Sequence, residues 1–240
     1  MNPDLIRAVD IPRSEQSYGW KDAVLYALGC GAMTGPFAEQ ELPLVFEKGM
    51  TVMPTYGMVL CRQASHLTAP EFGIDWTRTV HAEQCLDIHA PLPPETTVTA
   101  KTEVAELIDK GRDTGALLRL RKCIADAATG LVYQDQVQTL MLRGNGGFDS
   151  APSPAPDSRS PRTAPPADAR VIDLPISQRQ SAIYRLTGDI NPLHISPDFA
   201  ARAGFPRPIL MGMSTLGTAT RALAAAVGDG DVGRLSHMSV

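Results

Sequence analysis

Apolar and polar positions alternate most clearly in the middle of the chain. From Thr96 to Glu106, Thr97, Thr99 and Lys101 oppose Val98, Ala100 and Thr102, the period-two pattern of a half-buried strand. Asp109-Lys110-Gly111 is a turn signal leading into Ala116–Leu120, and Asp126-Ala127-Ala128-Thr129-Gly130 turns the chain into a further strand pattern from Leu131 to Leu142. Ahead of this meander, Ala23, Val24, Tyr26 and Ala27 fall at helical spacing within Asp22–Leu28, with Gly29 placed as a cap. Later, Val171–Ile176 reads as a strand. Ser196 is a good N-cap, Pro197 suits the first helical position, and Gly204 stops that helix. Pro208 opens a second helix running from Ile209 to Val227 and ending at Gly228; it is apolar nearly all round and is therefore expected to be buried. From Leu235 to Val240 a new strand begins. Helical segments beside an antiparallel meander make an α+β fold.

Composition sharpens this picture in two places. Gly144 to Asp168 is dominated by Pro, Gly, Ala and Ser and has almost nothing to bury. It divides the chain into an N-terminal unit (1–145), a linker (146–168) and a C-terminal unit (169–240). The 240 residues carry 22 Lys+Arg against 26 Asp+Glu, a net charge of −4, which gives no electrostatic reason to bind nucleic acid or anionic lipid. Cys30, Cys61, Cys85 and Cys123 form no CxxC pair and read as reduced, packed thiols. The start Met1-Asn2-Pro3-Asp4 lacks a signal-peptide pattern, and no apolar run reaches the roughly 18 residues needed to span a bilayer. A soluble, cytoplasmic protein is expected.

Chemistry concentrates in Gly188-Asp189-Ile190-Asn191-Pro192-Leu193-His194. Gly188 permits a tight backbone, and Pro192 pushes Asn191 toward an extended conformation. A carboxylate, an amide and an imidazole on one irregular segment can hold a water and move protons. The same residues also suit an N-cap Asp, an Asn-Pro turn and a loop His.

Tyr184 to Thr215 as a whole resembles the hydratase 2 motif of the MaoC-like (R)-specific 2-enoyl-CoA hydratases. In the first unit, Tyr26-Ala27-Leu28-Gly29, His81-Ala82-Glu83-Gln84, Ile88 to Pro94, Asp109-Lys110-Gly111 and Arg143 to Phe148 resemble blocks of the two-repeat members of that family. The resemblance implies a double hot-dog, in which each repeat wraps an antiparallel sheet around a long helix. It also implies reversible addition of water to a trans-2-enoyl-CoA, giving a (3R)-3-hydroxyacyl-CoA in fatty-acid or sterol side-chain β-oxidation. The family's catalytic Asp and His fall on Asp189 and His194, and its supporting Asn on Asn191; which of the first two gives and which takes a proton stays open. Gly212 matches a glycine at the start of the buried helix, where it either offers its N–H to the thioester oxygen or serves helix packing. CoA and substrate contacts are implied at His81, Ala82, Lys110, Ile190, Pro192 and Leu193, although Lys110 also reads as a solvated turn charge. Neither a metal nor a bound cofactor is implied, the CoA thioester being substrate, and a homodimer is expected.

Three departures from the family pattern stand out. Ala82 replaces a glycine, narrowing the approach to CoA by one methyl group. Met211 replaces a histidine, and a thioether cannot donate a hydrogen bond. The sequence supplies too few strands after the Pro208–Val227 helix, so the C-terminal repeat reads as incomplete and an apolar helix face is expected to lie bare. These departures keep open a protein that holds acyl-CoA without turnover, and, more distantly, a thioesterase.

Overall fold

A computed structural model describes residues 1–62, 66–149, 166 and 168–240. Its frame is a six-stranded, wholly antiparallel sheet. The strands are β1 (Ser14–Tyr18), β2 (Thr79–Ile88), β3 (Thr96–Asp109), β4 (Ala116–Asp126), β5 (Val132–Leu142) and β6 (His237–Ser239), in spatial order β1-β3-β4-β5-β2-β6. The meander read from the alternation is therefore present, with β3 and β4 longer than the pattern indicated. Asp126 fixes the β4–β5 turn by accepting from Ala128 N and Thr129 N at 3.1 and 2.9 Å. These hydrogen bonds, with those from Thr96 and Tyr133, hold its carboxyl well below the usual range.

Among the described residues five α-helices join the sheet: α1 (Pro3–Ala8), α2 (Trp20–Gly29), α3 (Gln180–Tyr184), α4 (Pro197–Arg202) and α5 (Gly212–Val227). The inner sheet face is covered in two places. At one end α2 packs Tyr26 and Ala27 with Tyr56 and Tyr184 over Val98, Ala100 and Ile124. At the other, Ile6 of α1 with Ile11, Leu67 and Phe72 covers Leu107, Leu118, Leu120, Leu140 and Leu142. Full burial of one such side chain contributes about 1.5–3 kcal/mol. Between the two clusters the face is only partly covered, Met58 and Leu216 of α5 packing on Leu86 of β2.

The ends of the helices differ from the sequence reading in instructive ways. Gly29 is not the left-handed cap of α2; that conformation falls on Gly31, at φ +79°. Gly29 is the last helical residue, and a Cβ there would come within 2.8 Å of Tyr184 Cα, so the absence of a side chain lets α2 and α3 touch. Ser196 does cap α4, accepting from Phe199 N at 3.3 Å. The last long helix starts at Gly212 and not at Ile209: Met211, in extended conformation, is its N-cap. Val171–Ile176 is not a strand; Val171 lies out in solvent, and no strand among the described residues pairs with the segment.

α5 is less bare than the sequence suggested. Nine of its residues are buried, and its hydroxyl side chains bond to the C-terminal end of α2. Ser214 donates to Gly29 O and Thr218 to Cys30 O, both at 2.8 Å, and Gln180 Nε2 donates to both hydroxyls at 3.0 Å. Arg221, fully buried, donates to Cys30 O at 2.9 Å and pairs with the buried carboxylate of Glu41. Exposure is confined to one stripe that includes Leu223 and Val227. One strand follows α5 among the described residues: β6, which pairs with β2 by setting Met238 beside Leu86. The four cysteines are free thiols, and no helix among the described residues is long and apolar enough to cross a membrane. Most of the linker falls outside the described residues.

Candidate active site

The uncovered part of the sheet face forms the floor of a cavity of about 690 Å³. Its walls come from both halves of the chain. After the α3 helix and a 3-10 turn (Arg185–Thr187), Gly188 takes φ +118°, a left-handed conformation open to glycine. The chain then delivers Asp189, Asn191, Pro192, Leu193 and His194 to the cavity wall. Asn191 caps the following 3-10 turn by accepting from Leu193 N at 3.0 Å, so its carbonyl oxygen is spent locally. His194 Nδ1 lies 2.9 Å from Ile209 O. A carbonyl oxygen can only accept, so Nδ1 carries the hydrogen and Nε2 of the neutral ring is left as a proton acceptor. This bond also ties the loop to the segment leading into α5, whose first residue, Gly212, lies on the same wall. A Cβ on Gly212 would meet nothing within 4 Å; packing does not require a glycine there.

From the other half come Arg62 and His81. Arg62 Nη1 pairs with Asp189 Oδ1 at 3.1 Å, and the Asp189 side chain is only 16% exposed. His81 Nε2 donates to Glu83 O at 2.9 Å. Burial pushes the His81 ring below its ordinary pKa; the Glu83 carbonyl opposes this, Arg62 adds to it and Asp189 opposes it. The ring is thus neutral at neutral pH. Lys122, on the inner face of β4, is half-buried and donates to Gly57 O, Met58 O and Leu60 O at 3.0–3.2 Å. Desolvation pushes its ammonium down to about 7.

The structure does not bring every residue named from sequence to this cavity. Ile190 is 70% exposed and points to solvent. Lys110 sits in the β3–β4 turn, where its N–H donates to Gly115 O at 2.9 Å, and is not on the cavity wall. Ala82 is exposed, at the register shift of β2 between His81 and Glu83; this bulge turns His81 inward and Ala82 out. Arg62 and Lys122 were not anticipated. Lys122 had a readable signal, a cation in the inward phase shared by Leu118, Leu120 and Ile124; Arg62 had none.

Residues 16–144 match the MFE-2 hydratase 2 N-terminal domain, and residues 162–240 match the MaoC like domain. The chain is a two-repeat MaoC-like hydratase 2 family member. It is 36% identical to an enoyl-CoA hydratase of Mycobacterium tuberculosis, over 95% of this chain and 79% of that protein. Among solved structures, a MaoC-like dehydratase from Phytophthora capsici superposes with a TM-score of 0.79 at 27% identity, covering 100% of this chain and 83% of that one. A Mycobacterium tuberculosis protein described as a double hot-dog superposes at TM-score 0.52 and 18% identity over 90% of this chain and 75% of that one, a likeness of fold alone. The family member described here is thus an enzyme with the double hot-dog architecture.

Proposed function

We propose that this family member adds water reversibly to trans-2-enoyl-CoA thioesters, giving (3R)-3-hydroxyacyl-CoA in β-oxidation. The observation that carries the proposal is that Asp189, His194 and the N-terminal residue of α5 line one cavity with apolar walls. In the hydration direction, water oxygen bonds to Cβ, the Cα–Cβ π bond breaks, and Cα gains a proton. Asp189 and the His194 Nε2 lone pair hold the water; one of them accepts its proton, which is returned to Cα. Negative charge gathers on the thioester oxygen meanwhile, and the free N–H at Gly212, at the positive end of α5, faces it. Acyl walls come from residues such as Val59, Leu67 and Leu210.

The test is a spectrophotometric hydration assay on crotonyl-CoA and longer enoyl-CoAs. Asp189→Asn and His194→Gln should each reduce kcat by about 10²–10⁴-fold, the usual contribution of a positioned acid or base. Undiminished turnover in both variants refutes the assignment. A homodimer and a cytoplasmic location belong to the same proposal, and are checked by light scattering and by cell fractionation.

A further inference from the structure

The cavity floor is polar where an acyl site needs only hydrocarbon. Along β5 the inward phase reads Gln134, Gln136, Gln138, Leu140 and Leu142. Opposite them, Lys122 faces Gln136 on β4, Thr102 faces Lys122 on β3, and Gln84 faces Gln138 on β2. A polar belt therefore crosses four strands in the gap between the two apolar clusters.

Part of the belt is spent on structure. Lys122 uses its three donors on the carbonyls of Gly57, Met58 and Leu60. Gln134 donates to Pro54 O at 2.6 Å and accepts from Gln136 Nε2 at 3.1 Å. These bonds staple the 3-10 turn Pro54–Met58 to the sheet. Two members are not spent. Thr102 Oγ1 is buried with no hydrogen-bond partner, in a residue only 5% exposed. The Gln138 amide has no partner among the described residues, and both side chains lie on the cavity wall.

We infer that the cavity takes acyl chains bearing a neutral oxygen substituent, a hydroxyl or ketone, with Gln138 and Thr102 as the residues that select for it. The inference takes the acyl-thioester reading as given and names the acyl class. A plain alkyl chain laid across the belt strips water from the Gln138 amide, leaves the buried Thr102 hydroxyl unpaired as before, and returns nothing, at a cost of roughly fivefold to a hundredfold in affinity for the amide left unpaired. An oxygen on the chain restores the bond. An amide both donates and accepts, which suits a hydroxyl or a ketone equally, whereas the Lys122 charge is already enclosed by carbonyls.

Binding of saturated acyl-CoAs, which cannot be hydrated, separates this inference from the catalytic one. Calorimetry on the full chain would compare decanoyl-CoA with isomers carrying a hydroxyl or ketone at successive carbons beyond the β position. At least one isomer should bind about tenfold or more tighter than decanoyl-CoA. Gln138→Leu, which removes no existing contact, should erase that preference and tighten decanoyl-CoA; the isosteric Thr102→Val should act in the same direction. The inference is overturned if no oxygenated isomer is preferred, if both variants keep the wild-type ratio, or if a terminally carboxylated chain is preferred to every neutral one. Absence of binding to the whole series overturns it together with the acyl-thioester reading. Inactivity toward enoyl-CoAs with the binding preference intact refutes the catalytic reading alone and supports this one.

Discussion

Replacing Glu41 by leucine removes the carboxylate that pairs with a guanidinium of 0% exposure. In the native chain Arg221 Nη1 meets Glu41 Oε1, Nε donates to Cys30 O at 2.9 Å, and the other Glu41 oxygen accepts from Met33 N at 2.8 Å. Leucine leaves Arg221 with backbone carbonyls only, and leaves the Met33 N–H without its acceptor. Breaking a buried ion pair from one side costs about 3–5 kcal/mol, and an orphaned N–H about 1 kcal/mol more. A total near 5 kcal/mol is a large share of the roughly 5–15 kcal/mol that folded domains possess. With a urea slope of about 2.5 kcal/mol per molar, the midpoint should fall by about 2 M. The paired change Glu41→Leu with Arg221→Met removes both charges, and should return stability to within about 1 kcal/mol of wild type. Urea melts of the four proteins, followed by circular dichroism, give the cycle directly. A single-variant loss below about 1 kcal/mol, or a double variant no better than Glu41→Leu, would show that the guanidinium is solvated and the reasoning wrong.

Gly212→Ala should leave the urea midpoint unchanged or slightly raised, because the added methyl has open space, while kcat drops roughly tenfold to a hundredfold as the thioester is held off its N–H; equal losses in both would make Gly212 a packing residue. Gly29→Ala should do the reverse, destabilising by about 2–3 kcal/mol because the new carbon sits 2.8 Å from Tyr184 Cα, with the kcat of the folded fraction retained. Lys122 sets a pH dependence. Its ammonium is pushed down to about 7 in the folded chain, against 10.5 as the ordinary value, so between those pH values the unfolded chain binds the extra proton and stability rises with pH, by up to about 1.4 kcal/mol per unit. Urea melts from pH 6 to pH 10, the range bracketing the shift to about 7, should show this rise in wild type relative to Lys122→Met and no relative change below the folded pKa; parallel curves throughout would contradict it.

Much of the frame could be read from the chain because β3, β4 and β5 keep an inward–outward alternation over most of their length, broken by register shifts at Val104/Glu106 and Ile124/Ala125. β2 escaped notice as a strand because its bulge at Ala82 breaks the phase, and β1 because Ser14-Glu15-Gln16-Ser17 offers almost no apolar face. Val171–Ile176 misled for the opposite reason: its β-branched residues have strand propensity, but no strand among the described residues pairs with them, and pairing decides. Pro208 looked like a helix opener, yet the chain stays extended to Met211, where the His194 bond to Ile209 O takes up a carbonyl lying just outside the helix. At the site, Asp189, Asn191 and His194 were legible through the resemblance of a long motif, and the cavity brings them together. Lys122, Gln134, Gln136 and Gln138 were visible as polar residues in an apolar phase, a violation of pattern that marks the polar belt across the sheet. Arg62 meets Asp189 from far along the sequence, and no local pattern announces such a meeting.

Because Arg62, His81 and Lys122 precede the proline-rich stretch while Asp189, His194 and Gly212 follow it, neither portion owns a whole reaction chamber. Across the divide β6 zips onto β2, and the hydroxyls of α5 clasp the end of α2. Two polypeptides made separately, divided within that stretch, should find each other and complement into a working enzyme, with activity that fades on dilution where the uncut chain's does not.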